Sequence, residues 1–243
     1  MHSSRRLRWL GWGLAAVAGI VVLVVGGAFI YIHLIEAPAP APLSVKDVPA
    51  TTSTAGSGRS HGQAAATGPV AGTWRVAAGS VVGYRVQEVL VGQNNTAVGR
   101  TSQITGNLTI SGDAVTAASF TVQMATIHSD QSQRDAQFDG RIMDVAAYPT
   151  GVFTLTGPIS LGSLPATGAV KTYTATGNLA LHGHSRPVTF TLAAERTANG
   201  KIEVSGSIPI VFARWGIANP SFGSFVTTQN HGVLEFLLVL NRA

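Results

Sequence analysis

In "LALHGHSRPVTF", residues 179–190, two histidines stand one residue apart beside an arginine and a proline. On an extended strand His182 and His184 would point the same way, as two ligands of a zinc site do. A third ligand would have to come from His128, His231 or a carboxylate, and no spacing marks one. The flanking residues offer a simpler reading. Setting Leu181 against Val188 also sets Leu179 against Phe190, Gly177 against Leu192 and Ala175 against Ala194, so one face of an antiparallel pair is wholly apolar. His182 then ends its strand opposite Pro187, with Gly183 to Arg186 in the turn. The histidines are expected to be a hairpin corner, with His182 hydrogen-bonding at a rim and no metal bound.

Other chemistries fare no better. Ser129 or Ser132, His128 and Asp135 can be drawn as a hydrolytic triad, but there is no Gly-x-Ser-x-Gly elbow and nothing to form an oxyanion hole. Ser, His and Asp near a turn ordinarily serve as local caps. "ANGKI" (198–202) resembles the end of a phosphate loop but has Glu195 where the first glycine belongs. Asp135, Asp139 and Asp144 lie at helix-like spacing near Arg134 and Arg141, where ion pairing is the default role. No catalytic residue is assigned, and the chain is expected not to be an enzyme.

The elements around these residues are strands. From Gly72 onward Thr, Val, Ala and Gly dominate, and apolar residues alternate with polar ones over 73–78, 81–91, 97–111, 115–127, 151–156, 173–182, 187–196, 202–213 and 232–241. "ITGNLTI" returns as "SFTVQM" through Gly112 and Asp113, in a loop of about three residues that sets Gly106 against Phe120 and Ile104 against Val122. "SQRDAQFDGRIMDVAAYPTG" (132–151) lacks the alternation; one or two short helices ended by Pro149 are expected. "VLEFLLVLN" (233–241) is apolar on both faces, so it must pack inward and also outward, for instance against the helical segment. The fold class is all-β: a barrel whose interior is either filled by side chains or wide enough for one slender ligand. Periodicity leaves both open.

Charge and hydropathy place this domain. Arg5, Arg6, Arg8, Lys46 and Arg59 against Glu36 and Asp47 supply most of the net +5, leaving the domain nearly neutral with no basic run, so no nucleic-acid partner is expected. Residues 9–35 carry no charge, long enough for a transmembrane helix. The three arginines before it put residues 1–8 in the cytoplasm and the barrel domain (72–243) outside, on the cell membrane. An Ala-x-Ala at Ala37–Ala39 is followed by Pro40, a poor cleavage context, which favours a retained anchor. Residues 36–71, rich in Pro, Ala, Ser, Thr and Gly, read as a disordered linker, with His61 a solvated residue within it. With no cysteine there is no disulfide and no thiolate metal site.

Three stretches resemble one family, the YceI-like (lipid/polyisoprenoid-binding) domain. "GNLALHGHSRPVTF" is similar to its Gly-x-Leu-x-x-His-Gly-x-Thr-Lys-Pro-Val hairpin. "TIHSDQSQRDAQFDGRIMDVAAYPTGVFTL" is similar to its Arg-Asp, short helix, Tyr-Pro and x-Phe run, and "WGIANPS…GVLEFLLVL" to its closing strands. The resemblance covers about 170 residues, from Thr73 and Trp74 to the C-terminus. It implies a non-enzymatic, eight-stranded antiparallel, lipocalin-like barrel holding a long isoprenoid, either a polyprenyl carrier or a quinone, or another long-chain amphiphile, in an apolar pore. Combined with the strand faces, it makes Ile104, Leu108, Phe120, Val122, Met124 and Phe153 pore-lining, together with Leu179, Leu181, Phe190, Leu192, Phe236 and Leu238. Arg134, Asp135, Ile142, Met143, Tyr148 and His182 become lid and rim. "YRVQEVL" puts Glu88 where the family often has His, Ser185 and Arg186 replace Thr and Lys, and "ARWGI" replaces an Arg-x-x-Phe-Gly sequence. The alternative is a filled barrel acting as an envelope-stress or adhesion module. A homodimer is left open.

Overall fold

The computed structural model describes residues 38–45, 70–90, 92–162, 166–223 and 226–243. The expected cytoplasmic N-terminus (1–8), the expected transmembrane helix (9–35) and most of the expected linker lie outside them. Among the described residues no helix is long and apolar enough to cross a membrane.

Among the described residues twelve strands build the domain: β1 (Gly72–Val76), β2 (Val81–Leu90), β3 (Gln93–Thr101), β4 (Ile104–Ser111), β5 (Ala114–Gln123), β6 (Thr150–Leu155), β7 (Ile159–Ser160), β8 (Lys171–Leu181), β9 (His184–Arg196), β10 (Ile202–Val211), β11 (Val226–Thr228) and β12 (His231–Arg242). All pairings are antiparallel, and the order β1-β4-β5-β6-β8-β9-β10-β12 closes on itself because β12 also pairs β1. β12 pairs β1 through Leu240–Arg242 and β2 through Val233–Leu237. β1 and β2 therefore form one broken strand along β12, facing a second broken strand made of β3 and β4. Counted this way the barrel has eight strands. Closure pairs both edges of most strands; β3 has β2 on one side and only the Arg100–His128 bridge on the other.

The faces follow the alternation. In β8, Tyr173, Ala175, Gly177, Leu179 and Leu181 are buried while Thr172, Thr174, Thr176 and Asn178 are exposed. The register differs from the one expected. Leu181 pairs with His184, Gly177 with Val188 and Ala175 with Phe190; Leu179 opposes Arg186 and Leu192 opposes Tyr173. The cause is the turn: His182 and Gly183 alone make it, at φ 48° and 73°, the left-handed pair that matches strand twist in a two-residue hairpin. The shift is an even number of positions, so every side chain keeps its predicted face. The β4–β5 hairpin pairs Gly106 with Phe120 and Ile104 with Val122, as expected. Its loop is two residues rather than three, the odd residue being taken up by a bulge beside Thr109 and Ile110.

The run without alternation is helical from Ser132 to Gln137 (α1) and continues as a wider π-turn over Phe138–Ile142, ending before Pro149. It closes one end of the barrel, with Phe138 buried and stacked on Tyr84 at 5.1 Å between ring centroids. β12 is buried on both faces. Its outward cover is not α1 but a stretch expected to belong to the linker. Val45 is buried on the outside of the barrel, its N–H donating to Ser205 Oγ (3.2 Å), Arg85 donates to the carbonyl of Pro40 (2.6 Å), and Arg100 to that of Ala41.

Candidate functional site: an apolar cavity with polar ends

The inward rows of the barrel strands are mostly apolar, and they do not meet at the axis. They enclose a cavity of about 290 Å³. Its wall on β10 runs from Ile202 to Ile210, about 26 Å along the strand and about 20 Å along the axis once strand tilt is allowed for. At the waist Phe153 meets Phe190 edge-on at 5.4 Å and Phe190 meets Phe236 at 5.8 Å. Three of the large rings lie over glycines of the neighbouring strand: Phe120 over Gly106, Phe153 over Gly177 and Phe236 over Gly206. A side chain on any of these glycines would push a ring off the wall and into the open space.

All twelve residues expected to line a pore stand on this wall: Ile104, Leu108, Phe120, Val122, Met124, Phe153, Leu179, Leu181, Phe190, Leu192, Phe236 and Leu238. Of the six lid and rim residues, Arg134, Ile142 and Met143 also line the cavity, whereas Asp135, Tyr148 and His182 do not. Asp135 acts behind the lid. Its carboxylate accepts from the N–H and hydroxyl of Ser129 (2.8 and 2.7 Å) and lies 3.3 Å from His128 Nδ1, so the three residues that could be drawn as a triad tie the chain before α1 to the helix. Tyr148 packs its ring edge-on to His182 at 4.8 Å, outside the cavity. His182 Nδ1 lies 2.9 Å from the carbonyl oxygen of Trp215, an N–H donation that holds the β8–β9 turn to the 212–216 turn.

Polar residues stand at both ends of the cavity: Glu195 and Arg196 of β9 at the far end, and Glu88, Arg134 and Thr228 at the end under α1. Glu88 is the last inward residue of β2 on its wall, and Arg134 reaches it from α1 at 3.2 Å. Glu88 also accepts from Asn95 Nδ2 at 2.9 Å, and Arg134 pairs with Asp130. Burial works against the charge on Arg134, but Glu88 and Asp130 more than reverse this, so its pKa lies above the ordinary value. Burial pushes the Tyr84 phenol well above its usual range, opposed by Arg134 and assisted by Asp135, Glu88 and Asp130; its hydroxyl is a neutral group at any physiological pH. Beside them Thr228, paired with Glu88 across β11 and β2, lines the same end with a buried hydroxyl that has no hydrogen-bond partner among the described residues. Tyr84 and Glu88 were legible in sequence as alternate residues of one strand. Thr228 was not, because β11 is only three residues long and its pairing to β2 is remote in sequence.

Similarity to known proteins agrees with this architecture. The family model for the YceI-like domain matches residues 74–240. Among solved structures, a polyisoprenoid-binding domain from Saccharophagus degradans implicated in plant cell wall breakdown superposes with a TM-score of 0.57 at 14% identity, over 71% of this chain and 99% of that one. Burkholderia cenocepacia BcnA (TM-score 0.49, 19% identity, 64% of this chain and 95% of that one) and the Campylobacter jejuni YCEI protein (0.43, 13%, 60% and 84%) also match. No curated protein sequence matches.

Proposed function

The chain belongs to the YceI-like domain family, and from that membership we propose that it is a membrane-anchored container for one long isoprenoid amphiphile, not an enzyme. The supporting observation is the cavity: long, narrow and apolar along its length, with Glu88, Arg134 and Thr228 at the α1 end and Glu195 and Arg196 at the other, it has the shape of one long apolar chain carrying a polar head. A filled core would leave no such space at ordinary packing density. The polyisoprenoid named for the Saccharophagus relative fits the same chemistry.

The α1 end also selects between heads. Among the described residues Arg134 is the one cation lining the cavity at this end, already met by Glu88 and Asp130 with Asp135 close behind. A phosphate would add charge where carboxylates already outnumber the guanidinium, which is repulsive at any effective dielectric. A quinone carbonyl or a prenol hydroxyl needs only a hydrogen-bond partner, and the Thr228 hydroxyl is one. A head seated at the α1 end is therefore neutral, which favours a quinone before a polyprenyl phosphate carrier there. Anchoring rests on the charge-free run 9–35 and the arginines before it.

Native mass spectrometry of residues 38–243, followed by organic extraction, tests the reading. A quinone or prenol of one-to-one stoichiometry is expected. A bound polyprenyl phosphate would overturn the choice of head, and an apo mass under gentle conditions would favour the filled-barrel alternative.

A further inference from the structure

The segment laid across the outside of the barrel has a direction. Its C-terminal end, Val45, sits at Ser205 of β10; Pro40 and Ala41 cross Arg85 of β2 and Arg100 of β3, two arginines that also hold the buried carboxylate of Glu235. Its N-terminal end, Pro38–Pro40, lies in a cleft with Asn95, Thr96 and Val98 of β3 and with His128–Asp130, the residues leading into α1. Read backwards, the chain climbs from mid-barrel to the end closed by α1. Only Glu36 and Ala37 separate Pro38 from Ile35, the last residue of the charge-free run, a reach of at most about 11 Å. The tip of the β2–β3 hairpin projects past Asn95 by three residues, about 10 Å. The charge-free run is thus tethered within a few residues of the cleft at this end of the barrel.

Most of the exposed large hydrophobic side chains gather there. Of the exposed large hydrophobic residues among those described, Val89, Tyr148, Val211 and Phe222 are at the α1 end and Val170 alone is at the other. Val89 belongs to the hairpin tip. Phe222, 66% exposed, bridges to Val226, which pairs with Leu90 of the same tip. A scattered exposed apolar residue needs no explanation, but a group of them on one rim does.

We propose that the barrel is held upright on the bilayer by its own residues 38–45, with the α1 end facing the membrane and the Val89/Phe222 rim in contact with the lipid surface. The apparent linker is thus a strap, and the α1 end of the cavity, with Glu88, Arg134 and Thr228, stands at headgroup depth. This rests on the anchored-container reading.

The test uses the full chain, which has no cysteine of its own, reconstituted into phosphatidylcholine vesicles with a fifth phosphatidylglycerol. Single variants Val89→Cys, Phe222→Cys and, at the opposite end, Asp113→Cys carry an environment-sensitive fluorophore, quenched by spin-labelled lipid. Quenching at 89 and 222 several-fold above that at 113 is expected, and replacing residues 38–45 by Gly-Ser repeats should erase the difference. Flotation with equal quenching at all three positions would leave the anchor and overturn the orientation, and stronger quenching at 113 would reverse it. Failure of the chain to float with vesicles would remove the anchor, and the orientation with it, while leaving ligand binding by the barrel untouched.

Discussion

Thr228 and Glu203 show how single side chains divide between ligand and fold. The Thr228 hydroxyl is buried without a partner, a state that costs about 1–3 kcal/mol. Thr228→Val removes that cost at nearly constant shape, so the melting temperature without lipid should hold or rise while retention of a head-bearing isoprenoid falls several-fold; mass spectrometry of the retained lipid reads the second effect. A drop in both would mean the hydroxyl serves the fold. Glu203, buried on the outer face of β10 and paired with Glu195 of β9, is shifted the other way from a salt-bridged acid. Burial raises its carboxyl pKa, Glu195 raises it further, and Lys201 opposes them. The native state thus binds the proton more tightly than the unfolded chain. Its contribution to stability is full below the ordinary carboxylate value, about 4.3, and is lost as pH rises through the raised one. Glu203→Gln should therefore melt higher than the parent at pH 7 and indistinguishably from it near pH 3.

At the level of elements, the β8–β9 hairpin separates what alternation can reveal from what it cannot. Period two determined which residues of 173–192 face inward. Register depends on the turn, and nothing in "LHGHSRP" announces that His182 rather than an Asn or Gly takes the first left-handed position. The tertiary reason is visible only once folded: the His182 ring reaches the Trp215 carbonyl, and Gly183 lies beneath Tyr148, where a Cβ would come within 2.6 Å of the ring. Gly183→Ala combines left-handed strain of about 1–2 kcal/mol with displacement of an exposed ring, and calorimetry should show the midpoint falling by roughly 2–8 °C. No change would mean that the turn re-forms with another register. The same limit explains residues 38–45. Pro/Ala composition reads as linker because its partners, Arg85, Arg100 and Ser205, are far away in sequence and occur on strands whose outward faces look merely polar. The doubly apolar β12 carried the one sequence signal that something must cover that face.

For the whole molecule, a closed barrel with an empty axis separates folding from holding, because the walls are complete without the contents. Ala175 is 1% exposed, lies on the cavity wall and pairs across the hairpin with Phe190 at the aromatic waist. Ala175→Phe should place a ring in the open space between Phe153 and Phe236. In a filled core that enlargement costs about 1–3 kcal/mol through forced rotamers. Here the ring has room, so the cost should be smaller and the new contacts can offset it. The lipid has no such alternative: a slender chain running about 20 Å along the axis must pass the waist. Retained lipid should fall at least tenfold while the melting temperature of the delipidated protein moves by only a few degrees. Thr174→Phe, one residue away on the exposed face, should change neither quantity. Phe190→Ala acts in the opposite sense. It removes contacts worth about 3–5 kcal/mol in a filled core, but a bound tail can occupy part of the space, so its destabilisation should be smaller with lipid than after extraction. If Ala175→Phe unfolds the barrel as a packed core would, or keeps its lipid in full, the axis is not the binding path.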